Sequence, residues 1–524
     1  MNYKEAMEFI DSMPVFTPAA VVNGTAAFDL VAMGNLLKEL GNPQKKLKFV
    51  HIAGTNGKGS TAAFTASILA ASGYTTGLFT SPHIERFSER VRVLVKNDKK
   101  SAEAESDALL SSQKNGVLVN NEKTVEALVL KDEAEKASVM KDKDEKGSSS
   151  SKVQKIDYVS ITTDNLKTIE ATEEELAEEI TAAYEASERM KAKGLRTPSE
   201  FELMTAVGFL HFVKKKCDIV VLEVGLGGRL DATNIIDTPE LAIITTISYD
   251  HMEILGETLP AIAGEKAGII KENSIVLTYP ADEEVNEVFR KKCTDTYSLH
   301  FIAPKIDQNR VDRSIEGQEF EIPEFKDEQG VIKLDFDFGK LKTVMLGTYQ
   351  VNNAATAAYA AALLKKFRGY DKITKETIAE GIASTRWPAR FEILRKNPYL
   401  IIDGGHNLEG ARVLKESFDK YFPGKKITFV TGVLADKQYT HMLSQLLPIA
   451  KRFYTIAPPS PRALSAEDLA KYINVRSHEP IAEPYGEKYE EAVKAAIGNA
   501  EEGDVICAQG SLYFVGIVRE MLTQ

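Results

Sequence analysis

The stretch His51-Ile-Ala-Gly-Thr-Asn-Gly-Lys-Gly-Ser-Thr61 carries the residue types that hold a phosphate chain. Gly54, Gly57 and Gly59 let the backbone turn tightly and aim N–H groups inward, Lys58 adds a charge, and the helix that follows supplies its N-terminal dipole. The usual spacing of such loops is G-x-x-x-x-G-K-[ST], with the final hydroxyl on magnesium. Here the loop is shorter. Gly59 stands where that hydroxyl would be, and Ser60 and Thr61 follow one and two positions later. A hard divalent cation is needed to offset charge on β- and γ-phosphates. The candidate ligands are Ser60, Ser81, Glu223 and His251. Taken alone, Glu223 also reads as a carboxylate capping the Gly-rich turn after it, and His251 as a hydrogen-bonded core histidine. Their shared position at strand ends beside the loop is what groups them.

For these residues to meet, the chain must build a sheet with the loop at one edge. Lys48 to Ala53 reads as a short apolar strand, and Phe64 to Ala71 as a helix that Gly73 ends. Thr76 to Thr80 is the next strand, followed by the loop Ser81–Arg90 and an alternating run from Val91 to Val95. Asp218 to Leu222 and Leu241 to Ile247 are continuous apolar runs, as buried parallel strands require. They end at Glu223 and at Ser248-Tyr-Asp-His251. Helices are predicted over Tyr3–Met13, Phe28–Leu40, from the capping box Thr172-Glu-Glu-Glu175 to Lys193, and from Phe201 to Lys215. Such alternation implies a parallel α/β sheet with ligands at the carboxyl ends of its strands.

Further on, Leu259 to Ile270 reads as a helix and Ile275 to Thr278 as a strand. Residues 300 to 340 carry alternating runs, Phe320-Glu-Ile and Leu334-Asp-Phe-Asp-Phe338, that read as hairpins. Gly347 to Asn353 opens an Ala-rich helix through Leu364, and Trp387-Pro-Ala-Arg390 interrupts the pattern like a hinge. A second α/β series follows, with strands at Tyr399–Ile402, Ile427–Val433, Phe453–Ile456 and Val505–Ala508. Turns at Asp403–Asn407 and Gly510-Ser511 lead into helices. The fold class is α/β: a P-loop, mostly parallel sheet ATPase domain over 1–387, then a smaller Rossmann-like α/β domain over 388–524.

Composition limits the partners. Across 524 residues the hydrophobic share is 43% and the charged share 27%, ordinary for a globular protein. A net charge of −11 argues against nucleic acid as the main partner, because phosphate backbones need a basic face. Cys217, Cys293 and Cys507 lie too far apart to read as a zinc site or disulfide framework. The N-terminus has no apolar signal core, and no apolar run approaches the ~18 residues of a membrane span, so no membrane and a cytoplasmic location are expected. Residues 97–155 are dominated by Lys, Glu, Asp, Ser and Asn and read as a solvated, partly disordered insertion. Within it, Val117–Val119 and Ala127–Leu130 are the only patches able to pair as a small hairpin, and a partner-binding arm is the functional alternative.

The motifs occur together in one order: Gly54-Thr-Asn-Gly-Lys-Gly-Ser-Thr61, Thr80-Ser-Pro-His83, Glu89-Arg-Val-Arg92, Glu223-Val-Gly-Leu-Gly-Gly-Arg-Leu-Asp-Ala-Thr-Asn234, Asp250-His251, Glu265-Lys-Ala-Gly-Ile-Ile-Lys271, Arg386-Trp-Pro-Ala-Arg390, Asp403-Gly-Gly-His-Asn407 and Gly510-Ser-Leu-Tyr513. In this the chain closely resembles folylpolyglutamate synthase/dihydrofolate synthase, a branch of the Mur ligase superfamily. The resemblance covers nearly everything except residues 97 to about 155.

The resemblance implies ATP-dependent ligation of L-glutamate to a folate, and as a second acceptor to dihydropteroate, through an acyl phosphate. It assigns Gly54, Asn56 and Gly57 to Thr61, with Lys58, to ATP phosphates, and Asn353, Arg390 and Asp403 to further ATP contacts. Ser81, Glu223 and His251, with Ser60 as an addition, match the family's magnesium ligands for one or two Mg²⁺, and K⁺ is a further expected ion. Lys266 matches a lysine that is carbamylated in the superfamily; without the resemblance it reads as a surface helix lysine. His406 is placed near the phosphoryl site, and Ser81, Pro82, His83 and Arg90 border the pterin-bearing substrate. The chain is expected to act as a monomer. Three other readings are weighed. A peptidoglycan Mur ligase carries a sizeable domain before the loop, where only some 50 residues stand here. A P-loop ATPase driving a partner would turn over ATP without folate and glutamate. A non-catalytic relative would not need Lys58, Glu223, His251 and Lys266.

Overall fold

The computed structural model describes residues 1–13, 29–97, 165–323, 334, 336–435, 438–477 and 479–523. The predicted insertion from residue 98 on, with its hairpin, lies outside the described residues, as does Phe28 at the predicted start of the second helix.

Eight strands form the larger sheet: β1 (Phe49–Ala53), β2 (Thr76–Phe79), β3 (Val91–Lys96), β4 (Leu166–Glu170), β5 (Ile219–Glu223), β6 (Leu241–Ile244), β7 (Ile275–Thr278) and β8 (Leu299–Ile302). Their order is β4-β3-β2-β5-β1-β6-β7-β8. All neighbours pair in parallel except β2 with β3 and β3 with β4. β1 and β5 are buried at every position, which is why their sequences run apolar without alternation. The order has one decisive consequence. β2, β5, β1 and β6 are contiguous, so the segments after their carboxyl ends, carrying Ser81, Glu223, the phosphate loop and His251, emerge side by side.

The helix Lys58–Ala71, which continues the loop, is buried from Ser60 to Ala71. Beyond Lys58 it carries no charged residue and is mostly alanine, serine, threonine and apolar side chains, as a helix packed all round requires. The Ala-rich helix Gln350–Arg368 and the helix Lys375–Ser384 pack against it within one hydrophobic cluster. The last helix comes so close that a Cβ on Gly381 would stand 2.5 Å from Ile68 Cα.

β9 (Asp312–Ser314), β10 (Gly317–Glu321) and β11 (Lys340–Thr343) make a small antiparallel sheet. The expected strand Leu334–Phe338 is not one at its described positions. Leu334 and Phe338 are buried in the core, so their apolar character serves packing, and the pairing falls to β11. After Trp387 comes a six-stranded sheet of β12 (Glu392–Lys396), β13 (Tyr399–Asp403), β14 (Ile427–Thr431), β15 (Ala450–Thr455), β16 (Ala482–Pro484) and β17 (Val505–Gln509). Its order is β12-β13-β17-β14-β15-β16, with only the β12–β13 pair antiparallel. The edge strands β8, β12 and β16 were not read from the sequence. They are short, and their residues are half-exposed or exposed over most of their length, so they carry little continuous apolar signal. Among the described residues no helix is long and apolar enough to cross a membrane.

The approach of Gly381 to Ile68 gives a test. Gly381→Ala forces a methyl into the helix backbone and should destabilise the protein by about 1–3 kcal/mol in urea denaturation. An unchanged midpoint would contradict this packing.

Candidate active site

The phosphate loop leaves β1 at Gly54 and is braced by the segment after β6. The sequence predicted that strand to run to Ile247, but it ends at Ile244. The next residues leave the ladder to hold the loop: Thr245 and Thr246 donate their hydroxyls to Asn56 O at 2.8 and 3.0 Å, and Thr55 N–H donates to Thr246 O at 2.7 Å. Gly57 sits at φ +86°, and a Cβ there would meet Asn353 Oδ1 at 2.8 Å, so both conformation and space require glycine. Gly59 has a different reason. A Cβ on it would lie 3.1–3.3 Å from the Trp387 indole, which Arg92 covers at 4.5 Å from the ring centroid. The hydroxyl missing after Lys58 is therefore explained by the hinge tryptophan packed over that position.

One cleft collects most of the residues singled out from the sequence. It is lined by Gly54, Asn56, Gly57, Lys58, Gly59, Ser60, Ser81, Pro82, Glu223, His251, Lys266, Asn353, Arg390, Asp403 and His406. Three residues are not in its wall. Thr61 is fully buried, and its hydroxyl points into protein with no protein partner. His83 and Arg90 pair with each other on the loop Ser81–Arg90, Arg90 Nε to His83 Nδ1 at 3.1 Å, and Arg90 also bonds Glu200 at 2.8 Å. Burial and the Arg90 charge push His83 down to about 4, so it stands neutral at physiological pH. Ser60 is buried, with its hydroxyl accepting from Gln350 at 3.3 Å.

The charges in the cleft are held in low-dielectric surroundings. Glu223 is 5% exposed, and its Oε2 accepts Ser81 N–H at 3.1 Å. Burial raises its pKa, opposed by Lys58, the Ser81 N–H, Arg390 and Arg92. It forms no ion pair within contact distance among the described residues, so these cations act on it only from beyond contact. Lys266 is 4% exposed, which overturns its reading as a surface lysine. Its Nζ donates to Gly54 O at 2.9 Å, and burial together with nearby Lys58 brings its pKa down to about 7. Lys58 Nζ donates to Thr55 O at 3.2 Å, folded against its own loop. The Gly225–Gly227 part of the wall is fixed from beneath: Asp231 accepts Leu226 N–H at 2.8 Å and the Thr233 hydroxyl at 2.5 Å, and His51 Nε2 lies 2.9 Å from that hydroxyl.

The opposite wall comes from the carboxyl end of β13. Asp403 accepts from the Tyr349 hydroxyl and Phe391 N–H at 2.9 Å each and from Gly405 N–H at 2.8 Å, while burial raises its pKa. Ala389 and Phe391 both sit at positive φ, 56° and 50°, unusual for residues with a Cβ and costly unless the surroundings hold them. The Asp403 carboxylate holds the second. Asn407, just behind the wall, ties it to the phosphate loop. It caps the helix Leu408–Tyr421 and exchanges two amide hydrogen bonds with Asn56, at 3.0 and 3.1 Å, and its Nδ2 reaches Asp250 at 3.3 Å. Asn407, Asp250, Tyr349 and Trp387 were not singled out from the sequence as site residues. Asn407, Asp250 and Trp387 lay inside quoted motifs, but nothing in a motif says which member faces across a cleft. Among the described residues no three His, Cys, Asp or Glu side chains converge as a metal cage.

Comparison with known proteins follows the same lines. Residues 168–361 match the Mur ligase middle domain, and residues 389–512 the Mur ligase, glutamate ligase domain. The chain is 32% identical to a dihydrofolate synthase/folylpolyglutamate synthase of Bacillus subtilis over 497 residues, 94% of each chain. It superposes on the apo form of L. casei FPGS with a TM-score of 0.69 at 26% identity, and on an FPGS-AMPPCP-folate complex with a TM-score of 0.68 at 27% identity, each over 100% of both chains.

Trp387 is the only tryptophan in the sequence and packs over the first turn of the loop's helix. Titration with a non-hydrolysable ATP analogue should therefore change its emission, and a Trp387→Phe chain should give no signal. Saturation by calorimetry without any change in emission would contradict that coupling.

Proposed function

Because the chain belongs to the folylpolyglutamate synthase/dihydrofolate synthase family of the Mur ligase superfamily, we propose that its cleft joins L-glutamate to a folate at the expense of ATP. The enzyme is an ATP-dependent ligase forming an amide bond. Dihydropteroate is the second acceptor in this reading, the chain works as a monomer, and the cytoplasm is its compartment. Residues 1–387 act as the ATP-binding domain and 388–524 as the glutamate ligase domain. The single observation that carries the reading is the convergence of four neighbouring strand ends of one sheet with the Arg390–His406 segment of the other around the loop.

The donor set suits magnesium. The Glu223 carboxylate, which has no direct ion pair, and the Ser81 hydroxyl are hard oxygen donors, His251 lines the same cleft, and a site with few protein ligands matches a cation that keeps waters and takes phosphate oxygens. A carbamate on Lys266 would add a further oxygen donor. Its amine is buried against Gly54 O with a pKa of about 7, so a large neutral fraction is present to attack CO₂, releasing one proton. When bound, Mg²⁺ supplies charge neutralisation at the phosphoryl oxygens. K⁺ is a further expected ion.

The chain's own residues do the rest. The backbone N–H groups of Gly57 to Ser60 and the dipole of a buried helix hold the phosphates, the Thr61 N–H being spent on Gly57 O at 2.9 Å. Lys58 turns from Thr55 O to the transferring phosphoryl group, where it offsets charge as the folate carboxylate approaches. Asn353, Arg390 and Asp403 hold the nucleotide, and Ser81 and Pro82 border the folate. Oxygen of the folate carboxylate bonds to phosphorus while the bond to ADP breaks, giving an acyl phosphate. The glutamate amine then attacks the acyl carbon and phosphate leaves. His406, whose Nδ1 lies 3.0 Å from Gly404 O, faces that step. The protein's main contribution is to hold three reactants together and keep water from the acyl phosphate.

Purified protein should release phosphate from ATP only when a folate and L-glutamate are both present, with product one glutamate heavier by mass; equal turnover without them would refute the ligase. Tetrahydrofolate and dihydropteroate tested in parallel assign the acceptor. Lys266→Ala should lose most of the rate and recover part of it in added acetate, a carboxylate that fits the vacated space. A variant as fast as the parent would remove the carbamate from the scheme.

A further inference from the structure

The loop Ser81–Arg90 belongs by sequence to the larger sheet, between β2 and β3, yet it is held by the last helix of the chain. Ile84 packs against the hydrophobic cluster of the second sheet, which includes Phe514 and Val518 of that helix. The helix Leu512–Thr523 meets the loop at Gly516, where a Cβ would stand 2.1 Å from Ile84 O, so only glycine allows this approach. One turn away, Arg519 is 4% exposed and bridges two carboxylates. Its Nη1 donates to Glu85 Oε1 at 2.5 Å, and its Nε reaches Glu392 at 3.1 and 3.2 Å. Glu392 in turn accepts Ala389 N–H at 2.8 Å, at the positive-φ hinge residue beside Arg390.

From these contacts we infer that Arg519 is a positioning residue for the ligation reaction: it sets the substrate loop through Glu85 and the hinge through Glu392, so the cleft wall at Ser81-Pro82 takes its working form only with the last helix docked. The inference rests on the ligase reading of the cleft. Within the loop, the contact is transmitted by Glu89. This buried carboxylate accepts the N–H groups of Ile84, Glu85 and Arg86 at 2.8–3.2 Å, so the segment moves as one piece. At its start, Ser81 N–H is tied to Glu223. A displacement at Glu85 therefore reaches the folate side of the cleft. The phosphate loop has its own braces at Thr245 and Thr246 and is left in place. Removing the buried Arg519 leaves two half-buried carboxylates without their shared cation, Glu85 keeping only Arg86 at 3.3 Å, and the loop loses its tie to the last helix.

The test is steady-state kinetics of the full chain, with phosphate release and amide formation measured together. Arg519→Met should raise KM for the folate about tenfold, leave KM for ATP near the parent value, and release more phosphate than amide formed, because water enters beside a displaced wall. Arg519→Lys should recover part of the folate affinity. Combining Arg519→Met with Glu85→Gln should be no worse than Arg519→Met alone, as two members of one contact behave. If Arg519→Met does not fold, Glu85→Gln reads the same contact from the loop side. Folate KM and phosphate-to-amide ratio both at parent values, with only a lower melting temperature, would overturn the inference. A parent enzyme that ligates normally in that experiment leaves the ligase reading standing; a parent that forms no amide fails that reading and this one together.

Discussion

The cleft depends on a helix that cannot move. Phosphate binding by backbone N–H groups works only if those groups keep their directions when no ligand is present, since a loop that must be ordered by its ligand spends binding free energy on that ordering. Here the helix Lys58–Ala71 is buried over its whole length after the first two residues, and its small side chains let neighbouring helices pack closely, one of them to backbone distance. The loop at its N-terminus is then fixed from three sides: by the threonines after β6, by Asn353 against Gly57, and by Trp387 against Gly59. The glycine after Lys58 goes with the last of these, because the indole leaves little room for a side chain there.

A rigid loop allows charge to be stored beside it. Glu223 and Asp403 are both buried carboxylates with raised pKa, and Lys266 is a buried amine whose proton is loosely held. Burial disfavours the charged form of each, so each gains from the charge of its neighbours and from ligands of opposite sign. Asp403 is satisfied by protein donors and organises the hinge. Glu223 has one backbone N–H. That difference separates a carboxylate that shapes the wall from one that is open to a cation.

The second sheet completes the site through contacts that skip most of the sequence. Asn407 pairs with Asn56 across 351 residues, and Arg519 pairs with Glu85 across 434. These polar contacts are short and directional, so they fix register between the two sheets more sharply than apolar packing would. They also mean that neither sheet owns the cleft: the phosphate loop, the Glu223 carboxylate and the loop Ser81–Arg90 come from one sheet, and the Asp403–His406 wall comes from the other.

Local sequence was enough for the parallel α/β architecture, the strands that end at the cleft, the capped helices Glu173–Ala192 and Glu200–Lys214, and the family. Apolar runs, capping boxes and glycines at turns carry their physical reasons within a few residues. The same locality marked Lys58 and Glu223, because a strand end followed by a glycine-rich turn is itself a signal, and it marked His251 as standing after an apolar run; Asp403 was marked by the family resemblance. Everything that depended on distant neighbours had to wait for the fold. Lys266, a site residue only by the family resemblance, reads from its local sequence as a surface lysine, and the fold buries it against Gly54 O. Thr61 looked like a phosphate ligand until the helix turned it into the core. The run Leu334–Phe338 alternated like a strand, but its two ends pack as core. Asn407, Trp387 and Arg519 act on partners far away in the chain, and no periodicity or motif spacing encodes which side chain will stand opposite which across a cleft built from two sheets.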